Sequence, residues 1–249
     1  DLLPGDITGS TIYDARREDF KFKPGPIFAN LILADEVNRG TPKTQSALLE
    51  AMQERQVTVE GQSYVLDPPF LVIATQNPLE FEGTYPLPEA QIDRFIARLR
   101  LGYPSPEAER EILSRRQDRR TDRAVARQAI EKSEFLQIQN AVEHVYVSAE
   151  IQDYIVSITT ETRNDRRVQL GASPRGSLAL FKLARARALM YERDYVVPDD
   201  VKAVAVPALA HRILLRPELW AERITGESIV EDALDRVPVP VADWARAVD

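Results

Sequence analysis

Two apolar runs stand out near the start of the chain, residues 28–34 and 70–75, each short, bounded by polar residues and free of polar alternation. That pattern predicts strands buried on both faces of a parallel sheet. Between them lies Thr41-Pro42, a capping residue followed by proline at a first helical position, after which Ala47, Leu48, Ala51 and Met52 recur at helical spacing. Strand, helix, strand is the expected order. Ahead of the second run, residues 57–66 alternate around Gly61 and predict a β-hairpin. Residues 6–23, with Ile7, Ile12, Phe20 and Phe22 at irregular intervals, suit a second hairpin or a loop insertion. After Pro104 the texture changes. Ser105-Pro106-Glu107, Ser173-Pro174-Arg175 and Pro198-Asp199-Asp200 read as first turns of helices, and residues 149–163 and 178–189 place apolar side chains three and four apart. The pattern predicts an α/β unit over residues 1–103 and a helical domain over 104–249, with no internal repeat and no low-complexity tract.

Composition narrows the chemistry. With 249 residues and 44% hydrophobic positions the chain can bury one large core or two smaller ones. Cysteine is absent and the two histidines, His144 and His211, are far apart, which disfavours disulfides, thiol nucleophiles and zinc. No apolar run approaches the roughly 20 residues of a membrane span, and Asp1-Leu2-Leu3 lacks the basic-then-apolar pattern of a signal, so a cytoplasmic location is expected. The net charge of −7 is not a hidden sum of opposite halves: 10 Lys and Arg face 15 Asp and Glu in residues 1–103, and 22 face 24 in the rest. The Arg-rich residues 110–127 are interleaved with Glu111, Asp118 and Asp122 and preceded by Glu107 and Glu109, a solvated helix rather than a phosphate-backbone binder. The only methionines are Met52 and Met190, so the sequence is expected to begin inside a longer parent.

The strongest chemical signal is Leu31-Ile32-Leu33-Ala34-Asp35-Glu36, an apolar strand ending in adjacent carboxylates. In an open α/β sheet the ligand crevice lies beyond the carboxyl ends of the strands. A hydrolytic nucleotide site needs one carboxylate to hold Mg²⁺, usually through water, and a second to orient the attacking water. Asp35 suits the first role and Glu36 the second, although Asp-Glu after a strand also occurs at ordinary sheet edges. The second run ends in Thr75-Gln76-Asn77-Pro78, which would set Asn77 beside that pair. Its amide can both donate and accept, as holding a water or a γ-phosphate oxygen requires. Read by itself, Asn-Pro is equally a turn start.

The runs GPIFANLILADEVNRGTPKTQSALLEAMQERQVTVEG and FLVIATQNPLEFEGTYPLPEAQIDRF resemble the MoxR branch of the AAA+ superfamily across nearly all of residues 1–103. The segments GASPRG and VVPDDVKAVAVPALAHRI resemble that family's helical lid. The resemblance implies a P-loop-type α/β core, incomplete at its N-terminus, followed by an all-α lid. It implies that Asp35-Glu36 is the Walker B pair, with Asp35 on Mg²⁺ through water, and that Asn77 is the sensor-1 residue. Arg94 becomes a candidate arginine finger and Arg175 the sensor-2 residue. The hairpin of residues 57–66 matches the insertion shared with magnesium chelatase and the MCM helicases. Physical chemistry bears on both arginines. Arg175 falls in the first turn of a helix, where a cation is unfavourable unless an anion such as phosphate lies nearby or the side chain bends into solvent. Arg94 could equally be a local partner of Asp93 or Glu89.

One departure accompanies the match: no G-x-x-x-x-G-K-[ST] occurs, and no glycine is followed by lysine. The backbone cradle and lysine that hold the phosphates are then expected upstream of Asp1, and residues 1–249 by themselves are expected to bind ATP weakly. The resemblance implies an ATP- and Mg²⁺-dependent ATPase that assembles into a homo-oligomeric ring, expected to be a hexamer, and remodels or activates client proteins beside a von Willebrand factor A domain partner. A non-hydrolysing scaffold on the same fold is the alternative, separated from the first by whether a P-loop is encoded upstream. A nucleic-acid motor is disfavoured by the acidic balance and testable by salt-dependent binding.

Overall fold

The computed structural model describes residues 3–16, 18–77, 84–219, 222 and 224–240. The chain opens with a short helix, α1 (Pro4–Thr8), and an antiparallel hairpin of β1 (Gly9–Asp14) and β2 (Asp19–Pro24). The hairpin alternative for residues 6–23 therefore holds, with α1 preceding it. Next come β3 (Leu31–Ala34), α2 (Pro42–Glu54), the hairpin β4 (Gln56–Val59) and β5 (Gln62–Val65), β6 (Leu71–Ala74) and the single turn α3 (Glu89–Ile92). Thr41 caps α2 by accepting the Thr44 amide at 3.3 Å. The β4–β5 turn uses Glu60 and Gly61, both at positive φ, the backbone that matches strand twist in a two-residue hairpin.

β3 and β6 pair in parallel, Leu31 opposite Leu71 through Ala34 opposite Ala74, with α2 in the crossover between them. Alternate side chains on a strand point to opposite faces. Ile32, Ala34, Val72 and Ala74 pack against a core of Ile27, Leu48, Leu49, Ala51, Val57, Leu66, Phe70 and Leu87. The opposite face corrects the expectation of two-sided burial: Leu31, Leu33, Leu71 and Ile73 are 48–66% exposed. The described chain lays its helix and hairpin on one side of the strands only.

The remainder is helical: α4 (Pro106–Arg119), α5 (Lys132–Glu143), α6 (Ala149–Asn164), α7 (Pro174–Met190), α8 (Pro198–Leu209) and α9 (Gly226–Arg236), with two short strands, β7 (Val168–Leu170) and β8 (Leu214–Leu215). The expected helical lid is present, and it also contains one short antiparallel pair, β7–β8. This pair joins the segment after α6 to the segment after α8. Helix α4 has no buried residue and an ion pair between Arg115 and Glu111, one turn apart, as a solvated helix should. It ends at Arg119, where Arg120 turns left-handed, so the basic stretch is only partly helical. The second core gathers Ile151, Tyr154, Ile155 and Ile158 of α6, Ala179, Leu180 and Ala184 of α7, Val201, Ala205 and Leu209 of α8, and Val230 of α9. Gly176 makes the α7–α8 approach possible, since a Cβ there would stand 2.9 Å from Leu209 and 3.1 Å from Ala172. Among the described residues no helix is long and apolar enough to cross a membrane.

Candidate nucleotide site

The parallel register carries β3 and β6 to the same end of the sheet, and the chain leaving β3 is fastened there by Thr75. The Thr75 amide donates to the Ala34 carbonyl at 3.0 Å, and its own carbonyl accepts the Val37 amide at 3.0 Å. Its hydroxyl donates to Asp35 Oδ1 at 2.5 Å and accepts the Glu36 amide at 2.8 Å. Four bonds from one residue thus fix both carboxylate positions. Glu36 itself is left-handed, φ 49° and ψ 52°, a conformation that costs a non-glycine residue about 1–2 kcal/mol and persists where its surroundings enforce it. Its carboxylate pairs with Arg39 at 2.9 Å across the 3₁₀ turn Val37–Arg39.

A second fastening comes from Gln45 on α2, 2% exposed. Its amide donates to the carbonyls of Val37 at 3.3 Å, Gly40 at 3.1 Å and Tyr85 at 2.9 Å, while the Tyr85 amide donates to the Asn38 carbonyl at 2.6 Å. The loop after the carboxylates is thereby tied to the segment leading into α3. Sequence reasoning missed both Thr75 and Gln45. Gln45 left a signal, a polar residue three positions before Leu48 on the apolar face of α2; Thr75 left none, because its partners depend on strand register.

Asp35 is exposed, whereas Glu36 and Asn77 are half-buried. Asn77 lies three residues beyond the end of β6, on the edge that bears Asp35 and Glu36; Pro78 falls outside the described residues. Among the described residues no cluster of three or more acidic or histidine side chains could cage a metal. A single exposed carboxylate nonetheless fits Mg²⁺, which keeps several waters and takes one or two carboxylates together with substrate phosphates.

The arginines are arranged around Asp93, just past α3. Its carboxylate accepts the Ser173 hydroxyl at 3.0 Å on both oxygens, pairs with Arg212, and lies 3.5 Å from Arg175 Nη1. Asp93 therefore turns to the helical part rather than to Arg94. Arg94 is exposed, and no ion pair to it occurs among the described residues. The cation in the first turn of α7 has its anion in the Asp93 carboxylate, which answers the dipole conflict that Arg175 posed. Burial, then the neighbouring Arg212 charge, pushes His211 down to about 4, while its Nε2 meets the Phe95 carbonyl at 3.1 Å.

An α/β core with paired carboxylates at the end of a parallel strand is joined through arginines to a helical domain, and comparison with known proteins places this arrangement in the AAA+ class. Residues 1–97 match the family "ATPase family associated with various cellular activities (AAA)", and residues 160–233 match the AAA lid domain. The chain is 51% identical to the uncharacterized protein YeaC of Bacillus subtilis, over 97% of this chain and 75% of that one. It is 44% identical to the chaperone MoxR1 of Mycobacterium tuberculosis, over 96% of this chain and 65% of that one. Identity to protein MoxR of Methylorubrum extorquens is 30%, over 96% and 76%. A crystal structure of a candidate ATPase from Cytophaga hutchinsonii superposes with a TM-score of 0.88 at 43% identity, covering 97% of this chain and 76% of that one. The chain belongs to the MoxR family of AAA+ ATPases.

Proposed function

We propose that this protein hydrolyses ATP at the interfaces of a homo-oligomeric ring and uses the cycle to remodel or activate client proteins. The observation that carries the reading is the Thr75 fastening: it holds two adjacent carboxylates, one exposed and one half-buried, at the carboxyl edge of a parallel pair, as water activation beside a phosphoryl group requires. When bound, Mg²⁺ neutralises charge on the transferring phosphoryl group. In this reading Asp35 holds the ion's water shell. Glu36, released from Arg39, accepts a hydrogen bond from the attacking water and orients it. Asn77 steadies the same water or the γ-phosphate, Arg175 pairs with a phosphate oxygen, and Arg94 serves the neighbouring subunit's nucleotide. The chaperone name carried by MoxR1 supports a protein client. A ring partner bearing a von Willebrand factor A domain belongs to the same proposal.

The test is Glu36→Gln in the complete gene product. The amide keeps the shape but accepts protons poorly, so ATP affinity stays within about 3-fold while turnover falls by about 10²–10³. A near wild-type rate removes Glu36 from the mechanism. Unchanged binding with no hydrolysis in the unsubstituted protein leaves the non-hydrolysing scaffold.

A further inference from the structure

The turn that carries Arg94 is held from both sides by the lid. On one side stands Asp93, with Ser173 and Arg212 on its carboxylate. On the other stands Phe95, whose carbonyl accepts Arg212 Nη2 at 2.6 Å and meets His211 Nε2 at 3.1 Å. Arg212 also donates to the Asp93 carbonyl at 2.6 Å and, through Nε, to the Ala208 carbonyl at 2.7 Å. A few residues on, the Arg98 amide donates to the Pro207 carbonyl at 2.9 Å. The Arg212 side chain is only 2% exposed, and a planar guanidinium that spends its donors on two carbonyls and a carboxylate of one turn fixes that turn in orientation as well as position. Arg94, between the two anchored residues, is itself exposed.

Contacts around Asp93 differ in firmness. Arg212 is buried and close; Arg175 is half-exposed, its Nη1 at 3.5 Å. A phosphate can therefore draw Arg175 away while the Arg212 clasp stays closed.

We propose that Asp93 and Arg212 are positioning residues that bind the Arg94 turn rigidly to the lid, so that the lid of one subunit sets the presentation of Arg94 to the nucleotide of the next. This rests on the trans role given to Arg94 above. The chain of contacts runs from Arg175 through the α7 cap at Ser173 to Asp93 and then to Arg94. A lid that shifts when Arg175 meets phosphate carries the arginine with it.

The test uses Asp93→Asn and Arg212→Lys in the complete gene product, the second keeping the charge but losing the fork. Hydrogen exchange is read first and needs no turnover. Amides of residues 94–98 exchange about 10-fold faster in both variants, while α6–α8 core amides and all amides in Arg175→Ala keep their protection. Turnover of each variant falls about 10–100-fold. Mixing Asp93→Asn subunits with Glu36→Gln subunits raises turnover above that of either variant alone, because a sound Glu36 meets a well-placed Arg94 from its neighbour. Arg94→Ala mixed with Glu36→Gln is the reference. Unchanged exchange across residues 94–98 overturns the clasp. Faster exchange without rescue of Asp93→Asn, where Arg94→Ala is rescued, overturns its action through Arg94. Failure of both mixtures, with mixed rings formed, overturns the trans reading on which it rests.

Discussion

Single residues at the strand edge do more than their type suggests. Thr75 contributes one hydroxyl to Asp35 and to the Glu36 amide at once, and Glu36 keeps its left-handed backbone with that bond in place. Valine has the same shape without the hydroxyl. Thr75→Val is therefore expected to fold with an unchanged circular dichroism spectrum and a melting temperature within a few degrees, while turnover falls about 10–100-fold. Thr75→Ser, which keeps the oxygen, retains most of the rate. Equal turnover in the valine and wild-type proteins would show that the carboxylates need no such fastening.

At the scale of elements, the helical part is organised around a buried ion cluster as well as apolar packing. Asp200, in the first turn of α8, is fully buried and accepts Arg187 from α7, both Nη atoms of Arg193 at 2.6 and 2.7 Å, and the Val197 amide at 3.0 Å. Burial alone would raise its pKa, but Arg193, the Val197 amide and Arg187 outweigh it and hold the carboxyl below its ordinary value. Asp200→Asn strands two guanidinium groups, each about a quarter exposed, so the expected loss is about 3 kcal/mol in denaturant unfolding of the lid. A loss under about 1 kcal/mol would mean that solvent already screens the cluster. Because the folded pKa is depressed, this contribution is present above the ordinary value near 3.8 and disappears as pH falls through the folded pKa. It leaves the range above pH 4 unaffected.

For the whole molecule, the junction between the two cores has its own titration. His211 is held neutral by burial and by Arg212, with Arg98 adding to the effect, so its folded pKa of about 4 lies below the 6.5 of the free side chain. Between those values the unfolded chain binds the proton and the folded chain does not. Stability is therefore full above pH 6.5 and declines as pH falls toward 4. At roughly 1.4 kcal/mol per unit, about 2 kcal/mol is lost between pH 6.5 and 5. Denaturant midpoints measured across that range should show the decline, and His211→Gln, which can still donate to the Phe95 carbonyl, should flatten it. An equal decline in both proteins would assign the titration elsewhere.

Periodicity and local chemistry determined much of this chain from its sequence. Apolar runs marked β3 and β6, Thr41-Pro42 and Ser173-Pro174 marked helix starts, Gly61 marked the hairpin, and Asp35-Glu36 at a strand end marked the candidate chemistry, because each signal is complete within a few neighbouring residues. Tertiary structure alone decided the rest. The identity of residues 75 and 45 as fasteners depends on parallel register and on a helix crossing beneath a loop. Asp93 could be read from sequence only as a neighbour of Arg94. Its actual partners stand 80 and 119 positions away. Pairings at that separation are fixed by how two packed cores meet, and no local pattern of residues encodes that meeting.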